Sequence, residues 1–190
     1  TLLALPVSIL TVRYPSRIAT VLERAAYLPY ALPGIVIALS LIVASVHYLP
    51  TIYGTTQLLI VAYAILSLPL ALVATRAALA QAPPVHEEIA RSLGCSPLQA
   101  LVRVTLPRIL PGLGAAAALV FLATVTELTA TLLLAPIGTQ TLATQFWADA
   151  STRAFGAAAP YAGLMVAISA FPTYLLTRRL GAILGPREAR

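Results

Sequence analysis

The chain has 190 residues, of which 59% are hydrophobic and 9% are charged, whereas soluble domains carry about 25% charged residues. This composition predicts a membrane protein, and the formal net charge of +6 then reflects arginines that flank apolar segments rather than nucleic-acid binding. The sequence contains no lysine and one cysteine, which excludes a Walker-type phosphate-binding loop, a Schiff-base lysine and an internal disulfide, so any ATP must be hydrolysed by another polypeptide.

Five apolar segments are predicted to be membrane helices. The first, residues 1–12, would cover roughly 18 Å at ~1.5 Å per residue, short of the ~30 Å hydrocarbon core, so we expect the end of a helix whose beginning is missing, and hence a fragment. Four segments are long enough for complete spans: residues 25–47, with a kinked or broken start at Pro29 and Pro33, then 57–80, 109–134 and 160–176. The predicted fold class is an all-α polytopic bundle of about four complete transmembrane helices plus one truncated helix, in a single domain over residues 1–190.

The arginines are distributed unevenly between the two sides of these spans. One side holds eleven of the twelve arginines, in residues 13–24, 76–108 and 178–190. The other side holds Arg153 alone and is predicted to carry a short helix over residues 141–151. By the positive-inside rule, the arginine-rich side, which includes the C-terminus, is cytoplasmic.

A polar stretch interrupts the apolar pattern at residues 82–107. A Pro-Pro pair ends one helix and opens the next, whose first turn carries Glu87-Glu88, where a helix N-terminus stabilises carboxylates. Gly94 is placed to end that helix in the left-handed conformation, Ser96 begins a Ser-x-x-Gln capping box, and Pro107 is expected to end the second helix. The stretch therefore predicts two short amphipathic helices joined by a sharp bend. Composition alone leaves open whether they dock on a protein or lie on the membrane surface.

The same stretch resembles the EAA loop of bacterial ABC importer permeases, whose pattern is Glu-Ala-Ala, three residues, Gly, nine residues, Ile, one residue and Leu-Pro. Here the pattern runs Glu88-Ile89-Ala90, then Gly94, then Val104-Thr105-Leu106-Pro107, with every spacing preserved. Ile89 and Val104 depart from the pattern, and both are apolar. The resemblance implies a type I importer fold in which this cytoplasmic loop, residues 82–107, is the coupling helix that sits in a groove of an ATPase subunit. It assigns the coupling role to Glu88, Ala90, Gly94, Leu106 and Pro107.

Three further motifs are similar to ferric-iron permeases: residues 28–34, residues 126–134, and Thr141-Leu142-Ala143-Thr144. Those permeases are fused proteins with two homologous halves, and this chain resembles the second half. The resemblance implies an ATP-driven importer in the bacterial inner membrane that moves ferric iron by alternating access. Its implied partners are two ATPase subunits, a second permease half and a periplasmic substrate-binding protein. Permeases for thiamine, sulfate, molybdate and polyamines share the loop and stay open as alternatives.

Catalytic and metal-binding residues are not expected in this chain. The resemblance implies that the partner ATPase binds ATP and magnesium, so the chain is expected to hold no cofactor and to be no enzyme. Glu127 is predicted deep in the span 109–134, where an ionisable residue is a functional candidate. With Thr126, it would line a cation path or hydrogen-bond a neighbouring helix. A channel or secondary transporter is the alternative from another class, and it would need a charge relay for which Glu127 alone is available.

Overall fold

The computed structural model describes the backbone of residues 1–184 and the side chains of residues 1–174. Every regular element in this part of the chain is helical. The α-helices are α1 (Ala4–Arg13), α2 (Arg17–Ala31), α3 (Gly34–Tyr48), α4 (Thr56–Ala80), α5 (Val85–Ser92), α6 (Pro97–Ala100), α7 (Leu106–Val125), α8 (Thr129–Leu134), α9 (Leu142–Ser151) and α10 (Phe155–Leu184). A short 3₁₀ turn covers Pro50–Ile52, and a π-helical segment covers Leu101–Thr105.

Three helical stretches are long and apolar enough to cross a membrane, namely Thr56–Ala80, Pro97–Val125 and Phe155–Tyr174. The pair α2 and α3 provides a fourth if the two helices count as one broken span, and α1 is a shorter apolar helix. In the apolar part of Thr56–Ala80, 44% of residues are buried, against 11% in each of the other two stretches, which therefore expose apolar surface. Within the described residues, the predicted all-helical membrane fold with about four spans and one shorter helix is confirmed.

The chain forms two compact units, the first built from Thr1–Pro33 and Ala64–Val120. Small and aliphatic residues make up its core, in two clusters: Ala4, Ala26, Ala71 and Leu72, and then Ala78, Leu79, Ala82 and Ile109. Small residues let helix backbones approach closely. Gly112 shows how close α7 comes to α4, because an added Cβ would lie 3.2 Å from Ala78 Cα and would overlap the Ala78 Cβ.

The second unit contains Gly34–Tyr63 and the chain from Phe121 onward. In it α3 packs on α8, and α9 packs on α10. Thr131 of α8 is fully buried, and its Oγ1 lies 2.6 Å from the hydroxyl oxygen of Tyr63. The short helix predicted over residues 141–151 is present as α9, with Thr141 as its N-cap. Its capping box pairs Thr141 with Thr144.

The predicted span over residues 25–47 was wrong in its bounds. Helix α2 begins earlier, at Arg17, because the Ser16 hydroxyl accepts the Ala19 N–H at 3.1 Å and caps the helix. The predicted break is present, and it separates α2 from α3 at residues 32–33. Leu32 is extended, with φ −114° and ψ 140°, as expected for a residue before proline.

Pro107 does not end a short helix, contrary to the sequence prediction. The helix runs without interruption over Pro97–Val125. Immediately before Pro107, the Leu106 N–H bonds to the Leu101 carbonyl, which is π-helical register. An α-helical turn would press the proline ring against the carbonyl four residues earlier, and the wider π turn avoids that clash. The second helix of the polar stretch is therefore the first part of a membrane-length helix.

The predicted span over residues 109–134 is divided in the structure, since α7 ends at Val125 and α8 begins at Thr129. The Thr126 hydroxyl donates to the Leu122 carbonyl at 3.1 Å, and the Glu127 carboxylate accepts the Ala130 N–H at 3.0 Å. These two side chains therefore bond to backbone groups at the adjoining helix ends.

The last helix also differs from its prediction, because α10 begins at Phe155 rather than at Pro160 and runs to Leu184. Of the predicted cytoplasmic tail, Arg187 and Arg190 lie outside the described residues, as do the side chains of Arg178 and Arg179.

Candidate functional site: the hairpin between α4 and α7

The stretch predicted as a coupling loop is a helical hairpin, and we use that name for residues 82–107. Its first arm is α5, which begins directly after the Pro-Pro pair and carries Glu87 and Glu88 in its first turn. Arg91 lies in the last turn. All three charges complement the helix dipole, which stabilises a short helix that would be marginal alone.

Gly94 ends α5 in a Schellman motif. The Gly94 N–H donates to the Arg91 carbonyl at 3.0 Å, and the Cys95 N–H donates to the Ala90 carbonyl at 3.1 Å. Gly94 has φ +92°, and nothing lies within 4 Å of where a Cβ would be. Backbone conformation rather than lack of space therefore requires glycine here, as predicted.

Ser96 begins the second arm through the predicted capping box. The Ser96 Oγ accepts the Gln99 N–H at 3.3 Å, and the Gln99 Oε1 accepts the Ser96 N–H at 3.0 Å. Pro97 occupies the first helical position, where its missing N–H costs nothing. The bend between the arms is therefore fixed by two local motifs within a few residues of each other.

One face of the hairpin is apolar and exposed. Val85 and Ile89 of α5 are each 53% exposed, and Leu93, the C-cap of that helix, is 80% exposed; the three follow each other at a spacing of four residues. Leu98 and Val102 on the second arm are exposed as well. Among the described residues 1–174 these side chains stay exposed, and a run of exposed apolar residues marks a surface for a partner or for lipid.

The five residues assigned to coupling take different places on the hairpin. Glu88 is exposed and Gly94 forms the bend, so both are accessible. Ala90 is buried. Leu106 is half-buried and packs on the cluster formed by Ala78, Leu79, Ala82 and Ile109, whereas Pro107 is exposed.

Sequence reasoning missed the most highly connected side chain of the hairpin, Glu87. Its Oε1 accepts the Thr105 hydroxyl at 2.6 Å and lies 3.1 Å from Nε of Arg13 at the end of α1. The Nε–H is not aligned for a hydrogen bond, so the contact is an ion pair. The Arg13 guanidinium also donates to the Ala82 carbonyl. The only sequence signal was that these residues fall in segments predicted to share the cytoplasmic side.

Thr126 and Glu127 belong to the second unit. Besides capping α8 with its side chain, Glu127 uses its main-chain carbonyl to accept the Thr131 hydroxyl at 2.7 Å, so the Tyr63 hydroxyl must donate to Thr131. Thr126 lines an open apolar cleft of about 720 Å³ with Phe146, Met165 and Ser169 among others. No group of three or more His, Cys, Asp or Glu side chains that could hold a metal occurs among the described residues.

Comparison with known proteins identifies the family. Residues 3–190 match the family described as the binding-protein-dependent transport system inner membrane component. An Fe(3+)-transport system permease protein of Haemophilus influenzae is 43% identical over 175 residues, which is 92% of this chain and 35% of that protein.

Proteins of Salmonella typhimurium and Salmonella choleraesuis, named as candidate 2-aminoethylphosphonate transport system permease proteins, are each 32% identical over 121 residues. That match covers 64% of this chain and 46% of each relative. The chain thus spans between about a third and a half of the length of these relatives. With its apolar helices and a family match over nearly its whole length, the chain belongs to the inner membrane components of binding-protein-dependent transport systems.

Proposed function

We propose that the chain is part of the permease of an ATP-driven, binding-protein-dependent importer of ferric iron. The observation that carries the proposal is the 43% identity, over 92% of the chain, to a protein named for Fe(3+) transport. The complete transporter would contain a second permease half, two ATPase subunits and a periplasmic substrate-binding protein. ATP and magnesium would be held by the ATPase subunits and not by this chain.

The hairpin is the proposed contact with the ATPase. Its support is the exposed apolar face, which includes Ile89 of α5 and Leu93 at the end of that helix; Glu88 of α5 is exposed too. A groove that covers this face in one state of the ATPase and not in the other would shift the membrane helices between outward-open and inward-open states. Leu106 and Pro107 lie where the second arm continues into α7, so motion of the hairpin would pass directly into that helix.

The hairpin is proposed to face the cytoplasm, together with the C-terminus. The support is the arginine distribution under the positive-inside rule. Cys95, next to the bend, tests the orientation once any other cysteine of the full protein is replaced by serine. A membrane-impermeant thiol reagent should label Cys95 only after the cells are opened, and labelling in intact cells would contradict the proposal.

Uptake of radiolabelled ferric iron tests the substrate. Proteoliposomes that contain the full permease with its ATPase and binding protein should take up iron only with ATP. A tenfold excess of unlabelled 2-aminoethylphosphonate should leave that uptake unchanged. If the proteoliposomes took up the phosphonate with ATP but took up no iron, the proposed substrate would be wrong, and the phosphonate for which the Salmonella relatives are named would take its place.

Gly94→Val tests the hairpin as the coupling element, and Gly54→Val is its matched control. Both glycines have positive φ and open space around a Cβ, so valine strains the backbone similarly at the two sites. Gly94→Val should abolish iron uptake and co-purification of the ATPase while the protein still inserts. Gly54→Val should retain both. Unchanged co-purification with Gly94→Val would exclude the coupling role.

A further inference from the structure

Four separate segments meet at the base of the hairpin. Arg13 is the last residue of α1, Ala82 lies between α4 and α5, Glu87 is in the first turn of α5, and Thr105 ends the π segment. The contacts between them join residues 69 apart, for Arg13 and Ala82, and 18 apart, for Thr105 and Glu87. Both ends of the hairpin are therefore tied to the end of α1, and we call Arg13, Glu87 and Thr105 the clamp.

The clamp is shielded from solvent. The side chains of Arg13 and Glu87 are 9% and 19% exposed, and Thr105 is 2% exposed. A charge pair with so little water keeps its strength only while both partners stay in place, because either charge alone would be buried without compensation. The clamp thus favours a single arrangement of the hairpin against α1. An apolar contact, in contrast, would let the hairpin slide along α1.

The two ends of the hairpin differ in their connection to the membrane helices. On the outgoing side, the helix is continuous over Pro97–Val125. On the incoming side, α4 ends at Ala80 and α5 begins at Val85, so residues 81–84 interrupt the helix. The hairpin could pivot about this interruption, and the Arg13 guanidinium bridges it by holding Ala82 and Glu87 at once.

We infer that Arg13 is a positioning residue that makes the hairpin and α1 move as one body, so that force applied to the hairpin reaches α1 through the clamp as well as α7 through the continuous helix. The inference rests on the proposed function, because the force comes from the docked ATPase. Thr105 orients Glu87 toward Arg13 by occupying the same carboxylate oxygen that faces the guanidinium.

The labelling rate of Cys95 tests the clamp without any ATPase. Arg13→Gln and Glu87→Gln in membrane vesicles should raise the rate of maleimide labelling about tenfold, because loss of one partner of a buried pair frees the hairpin to open locally. Arg17→Gln removes an exposed arginine from the same patch and should leave the rate unchanged. The charge swap Arg13→Glu with Glu87→Arg should return the rate part of the way to that of the wild type, because it restores the ion pair but not the bond from residue 13 to the Ala82 carbonyl. Such a partial return also shows that the single variants did not simply fail to fold.

Transport measured against ATP hydrolysis tests the transmission. In the complete transporter, Arg13→Gln should lower the number of iron ions moved per ATP about tenfold, and the charge swap should restore part of that ratio. A purely structural role would lower both rates in proportion. An unchanged ratio, or Cys95 labelling no faster than in Arg17→Gln, would overturn the inference. If the wild-type permease binds no ATPase, the proposed function fails by itself, and the labelling result still decides whether the clamp holds the hairpin.

Discussion

Glu87 and Glu127 both have half-buried side chains, yet their carboxylates bind different kinds of partner. Glu87 contacts Arg13 and Thr105, which belong to other helical segments. The carboxylate of Glu127 accepts a hydrogen bond from the main chain three residues later, at Ala130. The first carboxylate therefore holds segments together over long distances in sequence, and the second shapes the chain at its own position.

The difference bears on how each region can serve a transporter. A contact between segments can transmit motion, because displacement of one segment pulls on the other. A local cap fixes the place where a helix begins, and it leaves the relation between helices to other contacts. The clamp is accordingly the better candidate for mechanical coupling, and the break at residues 126–128 is the better candidate for a fixed feature of the fold.

The largest expected effect is the loss of stability when the Glu87 carboxylate is removed, with removal of the Glu127 carboxylate as the comparison. Glu87→Ala leaves the Arg13 charge buried without its partner, which should cost about 3–5 kcal/mol of stability. Glu127→Ala removes one helix cap and should cost about 1 kcal/mol. Thermal unfolding of the purified protein in the same detergent measures both. Equal losses would remove the distinction drawn between the two regions.

The packing beneath the hairpin gives the next largest effect. Gly112→Ala places a methyl group against Ala78 of α4 and should cost about 1–3 kcal/mol, because the backbone of one helix must move. Gly114→Ala in the same helix meets open space and should be neutral or stabilising, by up to about 1 kcal/mol, since alanine favours helix. If both variants have the same melting temperature, the close approach of α7 and α4 is not as described.

The bends offer a smaller effect that should be the same in the two units. Gly94 has φ +92° and Gly138 has φ +87°, and a Cβ at either site meets nothing within 4 Å. Replacement by alanine should cost about 1–2 kcal/mol at each, and replacement by asparagine should cost less, because asparagine tolerates the left-handed conformation. Unfolding measurements on the four variants check this. If the alanine and asparagine variants were equally stable at Gly94 but not at Gly138, the backbone at Gly94 would be able to relax out of the left-handed conformation.

Much of the local structure could be predicted from the sequence, because its determinants lie within a few residues. The Ser96 capping box, the left-handed Gly94 and the helix after Thr141 all depend on contacts between residues at most five apart. Apolar segment lengths likewise predicted the number of spans, since the bilayer imposes that length.

Contacts between segments could not be predicted. Nothing in the local pattern distinguishes Glu87 from Glu88, yet one lies at the clamp and the other is exposed. The continuation of the helix through Pro107 depends on a change to π register, for which the sequence has no simple signal. At Glu127, the long apolar segment predicted a continuous helix, so the helix cap that the Glu127 carboxylate forms with the N–H of Ala130 was not predicted.

The smallest expected effect is that of Glu127→Gln on transport. Glutamine keeps a side-chain oxygen that can accept the Ala130 N–H, so the start of α8 should be preserved while the charge is lost. If Glu127 acts only as a cap, iron uptake should stay within about twofold of the wild type, because no charge-dependent step is removed. Glu127→Ala, which loses charge and cap together, is the matched comparison for stability. A large fall in uptake with Glu127→Gln at unchanged melting temperature would show that the charge itself is needed, and would support a place for Glu127 on the cation path.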